Sequence, residues 1–455
     1  MNLGQLKLRK VFSIHPLCKT QSSVKILVIQ NLMKKLKIGL AGLGTVGQGV
    51  YEILKKDAKI LELKSQTIFE IVAVSARSNK DFVDSKIKFY KNAIDLANDT
   101  EIDVIIEVIG GTTLAKELVE TAIKNGKKVI TANKALLAEF GSEISALVEK
   151  YSGHIGFEAS TAGANPVIKT FKESFTSSEI TEFYAILNGT CNFILTKMGN
   201  EGSDYLETLA EAQKLGYAEA DPTLDVKGID SAHKLAILSA ISSSSKPAFK
   251  KLYIEGVDEV SIQDVKLADE LGYKIKLLGI YKKLGDACQQ TIYPALVKKC
   301  DKIAQVDGPF NAVLVNTSNA SWNLSIGRGA GGLTTGSAIV ADLIDIACGR
   351  SSYLFGVENS KLGEVNVINI SQRVGKYFLK LVIDKNSAQK TNIAEAIFGN
   401  EILVEQAAFI DANEEIICGF LINSQVEKNM IEILKNLDSG LVKSSKFLRV
   451  EEIGF

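Results

Sequence analysis

A short apolar run at residues 36–41 (LKIGLA) passes directly into Gly42-Leu43-Gly44-Thr45-Val46-Gly47 and then into a helical pattern from about Gln48. Glycines at these positions permit a tight turn and let backbone come close to a ligand. The helix start that follows presents free N–H groups to a pyrophosphate. A GxGxxG string alone is a weak signal, but here the strand before it and the helix after it supply the context the motif needs. Further strand patterns follow at 69–76 (FEIVAVSA), 103–110 (DVIIEVIG), 127–133 (KKVITAN) and 154–160 (HIGFEAS). Helical stretches alternate with them, among them LAKELVETAIKNG, which Gly126 closes. Strand and helix in alternation predict an α/β fold, a Rossmann-type doubly wound parallel sheet over residues 34–155.

At 455 residues the chain is too long for one ordinary core, so two or three domains are expected. A hydrophobic content of 46% with 23% charged residues is that of a soluble globular protein. Basic and acidic residues balance at 53 each, which gives no bias toward nucleic acid or a membrane surface. No apolar run approaches the roughly 20 residues that span a bilayer. Cys18, Cys191, Cys288, Cys300, Cys348 and Cys418 stand far apart and form no CxxC pair, and with three histidines in the whole chain no zinc-ligand spacing is expected. Reduced thiols in a cytoplasmic protein are the expectation.

Residues 1–32 carry Lys7, Arg9, Lys10, Lys19 and Lys25 with no acidic residue, and Pro16 breaks their hydrophobic pattern. Serine is sparse and Arg9 is the sole arginine, which fits a transit peptide poorly. Met33 directly precedes the first strand, so residues 1–33 are read as a basic extension with Met33 as the expected biological start.

The second strand ends at Ser75-Ala76-Arg77-Ser78. An acidic residue there would bind the ribose hydroxyls of NAD, whereas an arginine suits the 2′-phosphate of NADP; NADP is favoured and NAD stays open. In the second half, AQKLGYAEADPTLDVKGIDSAHK (212–234) gathers Glu219, Asp221, Asp225, Asp230 and Lys234. Its last part reads as a helix, on which Asp230 and Lys234 share a face. An acid and an amine held together beside further carboxylates suit a cationic, hydroxyl-bearing substrate; an ordinary surface ion pair is the plainer alternative.

The spacing of Ala212, Gly216, Asp221-Pro222, Asp225, Gly228, Asp230 and Lys234 resembles the signature of homoserine dehydrogenases at every defined position. With the nucleotide motif, this resemblance spans about residues 34–350. It implies NAD(P)-dependent interconversion of L-homoserine and L-aspartate 4-semialdehyde, and a catalytic and dimerisation domain of α+β type over 156–350. It further implies a homodimer or homotetramer. Cofactor contacts are implied at Gly42, Gly44, Thr45, Val46, Gly47, Arg77, Thr112, Lys134, Gly216 and Gly331, with Lys134 reaching the reactive end. FEASTAGANPVIKT resembles the family's cation-binding turn, which places a sodium ion at Glu158 with Thr161, Gly163 and Asn165; a buried turn without an ion stays open. A run at 186–196 (ILNGTCNFILT) is also family-like: Asn188-Gly189 suits a sharp turn and Thr190 is expected to cap a helix. Gly327-Arg328-Gly329-Ala330-Gly331-Gly332 forms a second glycine loop before a helix.

Oxidising homoserine sends hydride to nicotinamide and removes one proton, so the chain must position reactants and manage that proton. Lys234 is the expected proton donor in the reducing direction and Asp230 its orienting partner. Glu219 and Asp225 are the expected grip on ammonium or hydroxyl. Another NAD(P)-dependent amino-acid dehydrogenase, or an inactive Rossmann sensor, are the alternatives; the intact set of four residues argues against the latter.

Residues 371–455 read as strand-helix-strand-strand-helix-strand and resemble an ACT domain, a small ferredoxin-like amino-acid-sensing module. The family's first loop reads Asp-x-Pro-Gly, whereas Asp384 is followed by Lys385, Asn386 and Ser387. Loss of that glycine puts threonine sensing in doubt.

Overall fold

The computed structural model describes residues 33–385, 398, 403–437 and 441–454. The basic leader therefore lies outside the described residues, as do Asn386, Ser387 and nearly all of the helix expected at 390–399.

Six strands form the first sheet: β1 (Lys34–Ala41), β2 (Thr67–Ser75), β3 (Lys88–Tyr90), β4 (Val104–Glu107), β5 (Lys128–Thr131) and β6 (Ile155–Gly156). Their order is 3-2-1-4-5-6 and every pair is parallel. This is the Rossmann arrangement, with the strand order reversing between β1 and β4. Helices α1 (Thr45–Lys56), α2 (Thr113–Lys124) and α3 (Lys134–Lys150) connect the strands. Ile38, Leu40, Val104, Ile106 and Ile130 are fully buried, as expected of strands covered on both faces.

Two details differ from the sequence expectation. The three-residue edge strand β3 has too little pattern to be read in advance. The strand expected at 154–160 stops at Gly156, and a single 3-10 turn occupies Glu158–Ser160. The cause is Glu158, whose carboxylate turns inward to accept the N–H groups of Ile168 (3.0 Å) and Lys169 (2.8 Å), drawing the chain off the sheet.

The remaining strands are β7 (Ile180–Ile186), β8 (Tyr253–Ile254), β9 (Tyr273–Leu284), β10 (Ala287–Lys298), β11 (Phe310–Thr317), β12 (Ser321–Arg328), β13 (Val374–Asp384), β14 (Val404–Ala412), β15 (Glu415–Val426) and β16 (Val442–Glu451). They form one sheet in the order 12-11-7-9-10-16-13-15-14, with β8 beside β10. The tail strands run 16-13-15-14, the antiparallel order of a ferredoxin-like module. They are joined to the substrate half by parallel pairing of Ala295–Val297 with Arg449–Glu451. The sequence boundary at 371 thus separates chain segments but not sheets.

The helices of this half are α4 (Gly189–Glu201), α5 (Tyr205–Lys214), α6 (Thr223–Val226), α7 (Ile229–Ser243), α8 (Ile262–Glu270), α9 (Gly332–Cys348) and α10 (Glu427–Lys435). α9 comes late in the chain, yet its Ala338, Ile339, Val340, Leu343 and Ile346 share a core with Ile38, Leu40, Val104 and Ile106 of the nucleotide sheet. It packs along α1, where glycines let the two backbones touch.

Candidate active site

Two of the three glycines in the first loop are required by packing. Gly42 has φ +108°, and a Cβ on it would lie 2.5 Å from the Val108 carbonyl oxygen; one on Gly47 would lie 2.0 Å from the Gly42 oxygen. Gly44 is different. Its φ of −78° is open to any residue and a Cβ there would meet nothing within 4 Å. Space kept clear at an exposed residue heading a helix fits a ligand backbone or phosphate, and so fits a nicotinamide nucleotide.

Thr45 and Val46 begin α1, and Gly331 (φ +131°) caps α9, whose first residue Gly332 lies against Thr45: a Cβ on it would be 2.7 Å from the Thr45 oxygen. The two glycine loops are thus neighbours. Arg77 is exposed two residues past the end of β2, Thr112 is the N-cap residue of α2 after Gly110 and Gly111, and Lys134 opens α3 just after β5. Arg77, Thr112 and Lys134 follow carboxyl ends of parallel strands, where such sheets bind ligands. Gly216 sits apart from the strands: at φ +76° it terminates α5 and leads into the turn carrying Glu219.

Between the loop edge and the second sheet lies a polar cluster. Asp230 and Lys234 stand on the first turns of α7, each only 8% exposed. Lys234 Nζ donates to Asp230 Oδ2 (2.7 Å) and to the Leu187 carbonyl (2.7 Å), while Lys134 Nζ reaches Asp230 Oδ1 at 3.1 Å. Burial opposes the ionised form of Asp230. The ammoniums of Lys234 and Lys134 and the donated hydrogen bonds outweigh it and hold the carboxyl well below the usual range. Lys134 is pushed up, first by the Asp230 charge and also by Asp225 and Glu219. Asp225, half-buried on α6, is pushed up by burial and by the charge of Asp230. Glu219 is exposed at the rim, its backbone carbonyl held by Gln213 Nε2 at 3.0 Å.

The structure corrects one expectation at 186–196. Asn188, not Thr190, is the N-cap of α4, accepting the Cys191 N–H at 2.8 Å. Thr190 instead donates its hydroxyl to the Tyr217 carbonyl at 2.6 Å and pins the turn before Glu219.

Around Glu158 the turn is buried. Its carboxyl is pushed up to about 7, mainly by burial and also by the Asp342 charge. Thr161 Oγ1 is buried without a hydrogen-bond partner. Gly163 (φ +62°) packs against the carbonyls of Arg328 and Gly329, and Asn165 Nδ2 donates to the Ser325 carbonyl at 3.1 Å. Among the described residues no group of three or more His, Cys, Asp or Glu side chains is arranged to hold a metal, so a cation here would rely on Glu158, a hydroxyl and backbone oxygens.

Residues 42–158 match the family model for the homoserine dehydrogenase NAD-binding domain, and residues 166–344 match the homoserine dehydrogenase model. The homoserine dehydrogenase of Neisseria gonorrhoeae is 36% identical over 92% of this chain and 100% of its own length. That of Pseudomonas aeruginosa is 43% identical over 70% of this chain and 74% of its own. The chain belongs to the homoserine dehydrogenase family. The crystal structure of a Thiobacillus denitrificans homoserine dehydrogenase superposes with a TM-score of 0.85 at 35% identity, covering 93% of this chain and 99% of that one. The reaction is therefore the nicotinamide-dependent interconversion of L-homoserine and L-aspartate 4-semialdehyde.

Two members of the cluster, and one buried acid at the carboxyl edge of the nucleotide sheet, escaped sequence reading. Asn188 was legible as a turn residue in a family-like run, not as the partner of Asp225 and Asp230. Asn311 Nδ2 donates to the same Leu187 carbonyl as Lys234, at 3.1 Å, from β11. Glu107, buried at the end of β4, accepts from the Thr131 hydroxyl and the Ile109 N–H, and burial pushes its carboxyl up. Each lies more than 40 residues from Lys234 or on a strand, where periodicity carries no sign of polar contacts.

Proposed function

We propose that Lys234 is the proton donor when this family member reduces the aldehyde, and that Asp230 orients it. The observation that carries this reading is the count of bonds at Lys234 Nζ. Of its three N–H groups, one is held by Asp230 and one by the Leu187 carbonyl, which leaves one for a substrate oxygen. When bound, the nicotinamide supplies hydride to the carbonyl carbon. The carbonyl oxygen takes its proton from the Lys234 ammonium, giving the primary alcohol, and the amine left behind recovers a proton from solvent. Asp230, ionised between two ammoniums, stabilises both and fixes the direction of Lys234. Lys134 stands on the nucleotide side of the same carboxylate, suited to the reactive end of the cofactor. Asp225 and Glu219 face the ammonium and hydroxyl of homoserine.

Arg77 supports NADP as the preferred cofactor, because a guanidinium past the second strand matches a 2′-phosphate. Glu158, with Thr161, Gly163 and Asn165, would hold a sodium ion: the carboxyl is buried close to the Asp342 charge, and Thr161 Oγ1 lacks a partner. The cation would lock this turn in place between the two halves. Self-association into a dimer or tetramer is supported by β12, the last strand of its sheet, on which Ile326 is half-exposed. Among the described residues no helix is long and apolar enough to cross a membrane, and a cytoplasmic location is our reading.

The test is Lys234→Ala assayed with aspartate 4-semialdehyde and NADPH. The expected fall in kcat is about 10² to 10⁴, the usual worth of a positioned acid–base group, with cofactor affinity nearly unchanged. A variant retaining half the parent activity removes Lys234 from the mechanism.

A further inference from the structure

Asn188 occupies the one place in the cluster where two carboxylates converge. It follows β7 and is only 6% exposed. Its Nδ2 donates to Asp225 Oδ1 at 2.8 Å and to Asp230 Oδ2 at 2.9 Å, while its Oδ1 accepts the Cys191 N–H at 2.8 Å. The amide orientation is therefore determined. A flip would set NH₂ against an N–H and a carbonyl oxygen against two carboxylates. Every hydrogen-bonding group of the side chain that faces the cluster is used.

From this geometry we infer that Asn188 is a positioning residue, a neutral double donor that holds Asp225 and Asp230 side by side in the arrangement that receives the homoserine ammonium. The inference rests on the substrate role given above to Asp225 and on the orienting role given to Asp230.

The physical need is clear from what surrounds Asp225. Asp230 and Lys234 face it from α7, Lys134 from α3, and the Cys191 thiol from α4, where Sγ lies 3.2 Å from the Asp225 carbonyl oxygen. Both lysines are committed to Asp230 and neither makes a hydrogen bond to Asp225. Asp225 therefore meets burial and a neighbouring negative charge with the Asn188 amide as its direct donor, and that hydrogen bond, together with the more distant charges of Lys234 and Lys134, favours its ionised form. A lysine in place of Asn188 would compete with the substrate ammonium for the same oxygens; an amide does not, because it carries no charge. The Asn188-Gly189 turn of the sequence thus acquires a task beyond reversing the chain.

Capping and positioning can be separated by substitution. Asn188→Ser keeps an oxygen for the Cys191 N–H and replaces the two amide N–H donors by one hydroxyl on a shorter side chain, which cannot bridge both carboxylates; Asn188→Asp keeps the cap and sets a third carboxylate against the other two. In the holoenzyme with NADPH bound, we expect Asn188→Ser to melt near the parent temperature and to bind NADPH as the parent does. Its kcat/KM for homoserine should fall about tenfold to a hundredfold, the range for hydrogen bonds to charged groups. The acid limb of its kcat/KM profile should move to higher pH, because Asp225 has lost the bond that favours ionisation. Asn188→Asp should lose more than Asn188→Ser. A Ser variant with the parent's KM and acid limb overturns the inference, and so does a Ser variant that cannot fold, since Asn188 would then serve the fold rather than the carboxylates. Asp225→Asn is measured alongside. If it too leaves homoserine KM unchanged, the substrate role of Asp225 has failed; if it raises KM while Asn188→Ser does not, only the positioning role has failed.

Discussion

Asp230 receives three nitrogen donors at once, from Lys234, Lys134 and Asn188. Its depressed pKa means the folded state favours the carboxylate. That stabilisation is present above the pKa of an unfolded aspartate, about 3.9, and is lost as pH falls through the lower folded value. Asp230 is therefore a carboxylate at neutral pH, able to hold its donors. Glu219 stands exposed at the rim instead, and its charge is felt at Lys134. Glu219→Gln should raise the KM for homoserine by about tenfold or more, the worth of a charge-assisted hydrogen bond, with a smaller effect on kcat. Steady-state kinetics decide this, and an unchanged KM would show that Glu219 does not grip substrate. Arg77→Ala should weaken NADP binding by about 1.5–3 kcal/mol and leave NAD nearly unaffected, as titration of both cofactors would reveal. Equal loss for both would mean that Arg77 does not read the phosphate.

At the scale of elements, α1 and α9 meet through glycine. A Cβ on Gly49 would lie 2.1 Å from the Gly332 carbonyl oxygen, and one on Gly336 would lie 3.1 Å from the Gly49 carbonyl carbon. This close approach brings the second glycine loop to the first. Gly49→Ala should destabilise the protein by about 1–3 kcal/mol through overpacking, seen as a lower Tm without cofactor. Gly44→Ala should leave that Tm unchanged, because nothing stands near its Cβ, yet weaken NADPH binding. If Gly44→Ala binds NADPH as the parent does, the open space at Gly44 does not serve the pyrophosphate.

Across the whole molecule, the tail continues the substrate sheet and is tied to it by buried charge. Arg449 makes a bidentate pair with Glu427 (2.7 and 2.8 Å) and reaches Glu255 at 2.7 Å. Arg373 bonds Glu451 at 2.7 Å, and Lys282 reaches the other oxygen of Glu451 at 2.7 Å. Arg449→Met leaves Glu427 buried without its charge partner and should cost about 3–5 kcal/mol, with denaturant unfolding as the measure. A cost below 1 kcal/mol would show that water or a neighbouring cation replaces the arginine. Threonine at millimolar concentration should inhibit weakly or not at all, given Asn386 and Ser387 where the resembled module has Pro-Gly. Strong saturable inhibition would restore the sensor.

The nucleotide sheet was legible because its information is local: an apolar strand, glycines at fixed offsets, and a helix recur in register with the backbone's own periods. So was the Asp230–Lys234 pair, since four residues on a helix determine a shared face. The sequence by itself determined the family, the strand–helix alternation, the ferredoxin-like strand pattern of the tail and the residue types available for chemistry. Only the tertiary structure decided that Lys134 joins Asp230, that Asn188 bridges two carboxylates, that α9 covers the nucleotide sheet and that β16 pairs with β10. Those contacts join residues more than 35 positions apart, and nothing in the pattern of either partner encodes the other. The free energy that selects them comes from burying apolar surface and from pairing charges that burial would otherwise penalise, and it exists only once the two halves of the chain are packed together.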